Sequence, residues 1–114
     1  SCSGFDKNKG DEISMYQCVY IIVERGKGED AASAAIDGGA GGATIVFARG
    51  SGAHEKSRLF NMDIEPEKEI VMVVVNSEIT EKVVSNVRRE MEIDKPGNGI
   101  IFIQNVSQVY GALV

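Results

Sequence analysis

The residues of this 114-residue chain that could do chemistry gather in glycine-rich turns. The most distinctive turn reads Asp94-Lys95-Pro96-Gly97-Asn98-Gly99 and leads directly into Ile100-Ile101-Phe102-Ile103. Proline stops a preceding helix, and glycine and asparagine tolerate positive φ, so the backbone can double back here. A lysine beside glycine amides is also what an anion such as phosphate requires. The ammonium supplies charge, and backbone N–H groups can converge where no Cβ intervenes. Lys95, Gly97, Asn98 and Gly99 are therefore candidate anion ligands, and a purely mechanical turn is the competing reading. A second glycine pair, Gly50 and Gly52, follows Arg49. If the two loops met across a boundary between subunits, they would line a cleft suited to a polyanion; the alternative is two independent turns.

Other constellations are weaker. Gly26-x-Gly28-x-x-Ala31 resembles the start of a dinucleotide fingerprint. The strand that follows ends in Arg49 rather than in an acid for a ribose, and further βα units are lacking. Arg25-Gly26-Lys27-Gly28 is better read as a helix-entry turn. His54 is the single histidine; with only Glu55 beside it, it reads as a solvated loop residue and no metal site is expected. Ser51 and Ser57 lie in the same loop without an orienting acid, so no catalytic residues are expected and the chain reads as a non-enzyme.

Composition narrows the function classes. The net charge of −5 opposes nucleic acid as a partner, because a phosphate backbone needs a basic face. No tryptophan is present and aromatics are few, so no base-stacking platform is in view. No apolar run approaches the ~20 residues of a membrane span, so no direct membrane insertion is expected. The first 14 residues are polar, which speaks against a secretory leader. Cys2 and Cys18 make no disulfide framework, and a reducing cytoplasm fits.

The elements that must position these turns follow from periodicity. Residues 1–14 carry charges and little to bury and read as a flexible tail, leaving a single domain over 15–114. Residues 16–23, 43–49, 68–75 and 99–105 are apolar runs of strand length. An alanine-rich helix spans 29–37 and ends at Gly38-Gly39. A second helix is expected after an Asn76-Ser77 cap, with an apolar stripe of Ile79, Val83, Val84, Val87 and Met91. Residues 50–66 read as a polar loop, of a length that is usually functional or disordered. The order βαββαβ is the split-βαβ, ferredoxin-like pattern of an α+β sandwich: an antiparallel four-stranded sheet with both helices on one face. Right-handed crossovers place the first and third strands centrally. Apolar residues of both parities in the first strand leave the other sheet face needing a cover, and self-association supplies the simplest one.

At this point the chain resembles a known family. Arg49-Gly50-Ser51-Gly52, the long loop after it and Asp94-Lys95-Pro96-Gly97-Asn98-Gly99-Ile100-Ile101-Phe102 are similar to the marks of PII nitrogen-signalling proteins, in a short divergent branch. The resemblance covers residues 16 to the C-terminus. It implies a homotrimeric signal-transduction protein that binds a small anionic ligand, such as ATP, ADP or AMP, between subunits. The loop after the second strand, 51–66, would be the T-loop that reaches a regulated enzyme or transporter, offering His54, Lys56 and Arg58. Lys95, Gly97 and Gly99 match the phosphate-holding B-loop, with Asn98 where the family commonly has aspartate, and Gly50 and Gly52 match the T-loop base. There are departures. Ala53 and His54 stand where relatives have Arg-Gln, no tyrosine lies between Gly50 and Pro66, and 106–111 bring no arginine. The resemblance therefore implies a weaker or different ligand than ATP in well-studied relatives, and no firm cofactor. The alternative is a structural or metal-tolerance trimer of the same fold, like CutA-type proteins, without nucleotide binding.

Overall fold

The computed structural model describes residues 15–50, 57–59, 62–64 and 66–111; the expected N-terminal tail lies outside these. Four strands form one antiparallel sheet. They are β1 (Tyr16–Glu24), β2 (Thr44–Arg49), β5 (Glu67–Asn76) and β6 (Ile100–Val106), in the order β2-β5-β1-β6. Helices α1 (Gly28–Asp37) and α2 (Thr80–Glu90) fill the crossovers. This is the ferredoxin-like α+β arrangement, with the two most apolar strands, β1 and β5, in the centre as periodicity requires.

One departure falls in the loop after β2. It is not irregular throughout: β3 (Ser57–Leu59) and β4 (Met62–Ile64) pair as a small two-stranded arm. Its register sets Ser57 opposite Ile64, Arg58 opposite Asp63 and Leu59 opposite Met62. Three residues each are too few to show a period, which is why the sequence does not announce these strands.

Alternation along the central strands sorts the side chains. Val19, Ile21 and Val23 of β1 and Val71, Val73 and Val75 of β5 are fully buried beneath the helices. Ala31, Ala34 and Ala35 of α1 and Val83 and Val87 of α2 meet them. Each fully buried valine contributes roughly 1.5–3 kcal/mol. The helices approach closely because Gly38 stands where α1 crosses α2; a Cβ there would lie 2.9 Å from the Val83 Cα. Asn86 Nδ2 donates to the Ala34 carbonyl at 2.7 Å and ties the two helices together.

The second helix starts later than expected. Asn76 Oδ1 accepts the Glu78 N–H at 2.9 Å, and the Ile79 N–H donates to the Asn76 carbonyl at 3.0 Å. The asparagine thus closes a turn ahead of the helix, and Ile79 takes the cap position without a side-chain hydrogen bond. The reason is local competition: an asparagine side chain can satisfy the amide two residues on as readily as a helix terminus.

The opposite sheet face is open. Tyr20 stacks on Phe102 with ring centroids 4.6 Å apart, and Ile100 and Phe102 remain 55% and 45% exposed. Register aligns Val46, Ile70, Ile22 and Ile100 in one row across this face. Cys18 is buried and stands on this side rather than among the residues under the helices.

A single buried acid fixes α1 on the sheet. The Gly28 N–H donates to Glu69 Oε1 at 2.6 Å, and a Cβ on residue 28 would collide with that carboxylate. The charge sits at the helix N-terminus, where the dipole favours it. Glu69→Ala is expected to lower stability by about 1–3 kcal/mol, read as a lower urea midpoint at unchanged slope. An unchanged midpoint would show that the bond contributes nothing net.

Candidate functional site

The turns singled out in the sequence collect at one end of the sheet. Arg49 at the end of β2 pairs with Glu67, Glu24 at the end of β1 pairs with Lys68, and Ile100 at the start of β6 pairs with Ile22. Gly50 stands at one corner, its N–H donating to the Pro66 carbonyl at 3.2 Å. The Arg25–Lys27 turn is central, and the Lys95–Gly99 loop is at the other corner. β2 and β6 are the two edges of the sheet. Three strand spacings, about 14 Å, therefore separate Gly50 from the Lys95–Gly99 loop. Within one chain the two share an end of the sheet at its opposite edges.

The loop at the second corner is built from the last turn of α2. The Glu92 N–H donates to the Arg89 carbonyl at 3.3 Å and the Ile93 N–H to the Arg88 carbonyl at 3.1 Å. This is a Schellman end, in which the left-handed residue is Glu92 at φ 50°. Glycine usually occupies that position; a side chain there costs roughly 1–2 kcal/mol. A second turn follows, with the Lys95 N–H on the Glu92 carbonyl at 3.1 Å. In a third, the Asn98 N–H donates to the Lys95 carbonyl at 3.2 Å, with Pro96 and Gly97 between them. Gly97 at φ 84° fits the third position of a type II turn. Gly99, at φ 134°, passes so close to β1 that a Cβ would collide with the Ile22 carbonyl.

Asn98 closes the assembly. Its Nδ2 donates to the carbonyls of Glu92 at 3.0 Å and Met91 at 3.5 Å, so its amide caps α2. Among the described residues the Gly97 N–H carries no hydrogen bond.

Three cations here have an acid beside them. Lys95 Nζ forms an ion pair with Glu92 Oε1. Arg25 meets Glu67 at 2.6 Å, and its guanidinium carbon stands 5.9 Å from the centre of the Phe47 ring. Arg88 meets Asp94 at 2.8 Å. The hydrogen bond and charge of Lys95, with a smaller contribution from Lys27, hold the Glu92 carboxyl below its usual range. A cleft of about 420 Å³ opens beside this loop, lined by Lys27, Asp30, Asp37, Glu90, Glu92 and Asn98 among others. Its walls carry more carboxylates than ammonium groups, so it opposes an anion.

Of the sequence-derived candidates, Lys95, Gly97, Asn98 and Gly99 share one loop, and Gly50 lies at the opposite edge. Arg58 lies on β3. Gly52, His54 and Lys56 lie outside the described residues. Among the described residues no group of three or more His, Cys, Asp or Glu gathers to hold a metal. No described helix is long and apolar enough to cross a membrane. The carboxylates of Glu92, Glu67 and Glu69 were not among the candidates. The i,i+3 spacing of Glu92 and Lys95 is visible in the sequence; the other two emerge only from strand register.

The family model described as nitrogen regulatory protein P-II matches residues 16–112. The chain belongs to the P-II family. Arabidopsis thaliana PII bound to citrate is similar in structure, with a TM-score of 0.63, 24% identity, and coverage of 82% of this chain and 79% of that one. The B. subtilis GlnK–ATP complex has the same TM-score of 0.63 at 20% identity, covering 84% of this chain and 86% of that one. No curated protein matches the sequence significantly. At these identities the structural likeness establishes the P-II fold, and the family match places both glycine loops inside the P-II domain.

Two outcomes follow from the loop geometry. Gly97→Ala is expected to cost about 1 kcal/mol, because alanine is strained at positive φ. Gly50→Ala is expected to leave thermal stability unchanged, since nothing lies within 4 Å of a Cβ there. Equal melting shifts for the two would contradict the assignment of strain. Glu92 provides a pH readout. Its folded-state pKa is depressed, so its stabilising contribution is complete above the ordinary carboxylate value and is lost as pH falls through the lowered one. Carbonyl NMR should place the Glu92 midpoint below that of an exposed glutamate, and Lys95→Ala should restore it.

Proposed function

We propose that this P-II chain is a non-enzymatic regulator that binds a small polyanion, with an adenine nucleotide as the leading candidate, between subunits of a homotrimer. One observation carries the reading. Gly50 and the Lys95–Gly99 loop share one end of the sheet but stand on its opposite edges, which favours a site that two copies of the chain complete. The open apolar face, with Val46, Ile100 and Phe102 exposed, supplies a surface for the copies to bury. Lys95 is the phosphate cation, with the amides of Gly97, Asn98 and Gly99 as donors and Gly50 and Gly52 at the facing loop.

The related structures hold ATP and citrate, both multiply charged anions. The arm over 51–66, including Arg58 on β3, would present or withdraw a surface for a regulated enzyme or transporter as its order changes with the ligand. The unpaired Cys18 thiol suits a reducing cytoplasm.

Calorimetric titration with ATP, ADP, AMP and inorganic phosphate, with an assay for turnover, tests the site. Saturable binding without turnover, lost in Lys95→Ala, is expected. Hydrolysis of any of them would overturn the regulator reading, and no binding by any would overturn the site. Light scattering is expected to give three times the 12.3 kDa chain mass; a stable monomer would contradict the shared cleft.

A further inference from the structure

We propose that Glu92 is a built-in competitor for Lys95. Its carboxylate holds the loop cation in an internal ion pair, and an anionic ligand gains Lys95 only by displacing it, which selects multiply charged phosphates over monoanions. The inference rests on the reading of Lys95 as the phosphate cation and concerns how that cation is gated.

Geometry makes the pairing more than a chance surface contact. The Glu92 backbone is locked in the left-handed region at the end of α2. Its carbonyl is held from two directions, by the Lys95 N–H at 3.1 Å and by Asn98 Nδ2 at 3.0 Å. Both ends of the ion pair therefore grow from one closed turn, and the pair loses little further backbone freedom on forming. The other nearby acid in the loop, Asp94, is engaged by Arg88 at 2.8 Å. From α1 and its entry turn, Lys27, Asp30 and Asp37 face the same cleft, and Glu90 adds a further carboxylate. The acidic cleft thus lies on the Glu92 side of the pair, and Glu92 is the direct partner of Lys95.

The exchange explains selection. A monocarboxylate that replaces Glu92 on Lys95 swaps one such pair for another and gains little. It also leaves Glu92 unpaired beside the acidic cleft. A ligand with several charges can hold Lys95 and still reach the glycine amides and the facing subunit's loop. Both side chains of the pair are exposed, so the competition is modest and weakens with salt.

The test titrates the full-length protein with ATP, tripolyphosphate, inorganic phosphate and acetate. Glu92→Gln removes the charge and keeps the size. Its affinity for inorganic phosphate is expected to rise about two- to fivefold at low salt, the range that an exposed pair supports. The gain should be smaller for ATP and should fade at high salt. In a Lys95→Ala background the glutamine change should give no gain. Glu92→Asp, which keeps a carboxylate, should stay near the parent affinities.

Equal affinities for the parent and Glu92→Gln would overturn the competitor role while leaving the anion site standing. An undiminished gain in the Lys95→Ala background would also overturn it, by showing a general charge effect rather than one exerted through Lys95. If Lys95→Ala leaves ATP binding intact, or if neither the parent nor Glu92→Gln binds any of the anions, the site reading falls and the gate falls with it. Binding of tripolyphosphate by both proteins, with inorganic phosphate bound more tightly by Glu92→Gln than by the parent, would support both.

Discussion

The β1–β5 ladder is the constraint from which the rest of the molecule follows. Nine residue pairs, from Tyr16 opposite Asn76 to Glu24 opposite Lys68, set two near-continuous apolar strands side by side. The period of two then decides which residues face the helices, and a slip of one position would reverse every one of them. The same register brings Glu67 to Arg25 and Glu69 to the start of α1. It also sets the outer strands on either flank, with Gly50 and Gly99 arriving at the same end. Positions far apart in the chain become neighbours because two strands have only one pairing that buries their valines.

At that end charge and backbone freedom are concentrated. Lysine and arginine side chains stand beside carboxylates, and glycines let the backbone pass where side chains would obstruct. Two positions depart from local preference. Glu92 occupies a left-handed conformation that glycine would take at lower cost, and Glu69 is an acid kept under the edge of α1. The second is explained by the helix amide it receives. The first makes sense once its side chain is seen on Lys95, which ties the shape of the helix end to the cation of the next turn.

Much of this was legible in the sequence. The apolar runs of β1 and β5, the alanine-rich α1 and the valine stripe of α2 each carry a period that admits one assignment, so order and class follow from them. Lys95-Pro96-Gly97-Asn98 likewise announces its turn. The arm strands were not legible, because Ser57–Leu59 and Met62–Ile64, at three residues each, are too short to show a period. The start of α2 was misjudged because asparagine closes turns as readily as it caps helices. The acids around the site were hidden for a different reason. Glu67 and Glu69 acquire their roles only when β5 is laid against β1 and α1, and charge in a sequence carries no address until strands are paired.

The junction at Gly50 and Pro66 has a consequence for how such a chain can diversify. Fifteen residues separate these positions, and one backbone hydrogen bond joins them where the β2–β5 ladder ends. The closure cost of a loop grows only with the logarithm of its length, about 0.6 kcal/mol for each doubling. The segment between them can thus change in length at small cost to the sheet that it leaves and rejoins. A sheet closed in this way keeps its pairing whatever is inserted beyond Gly50.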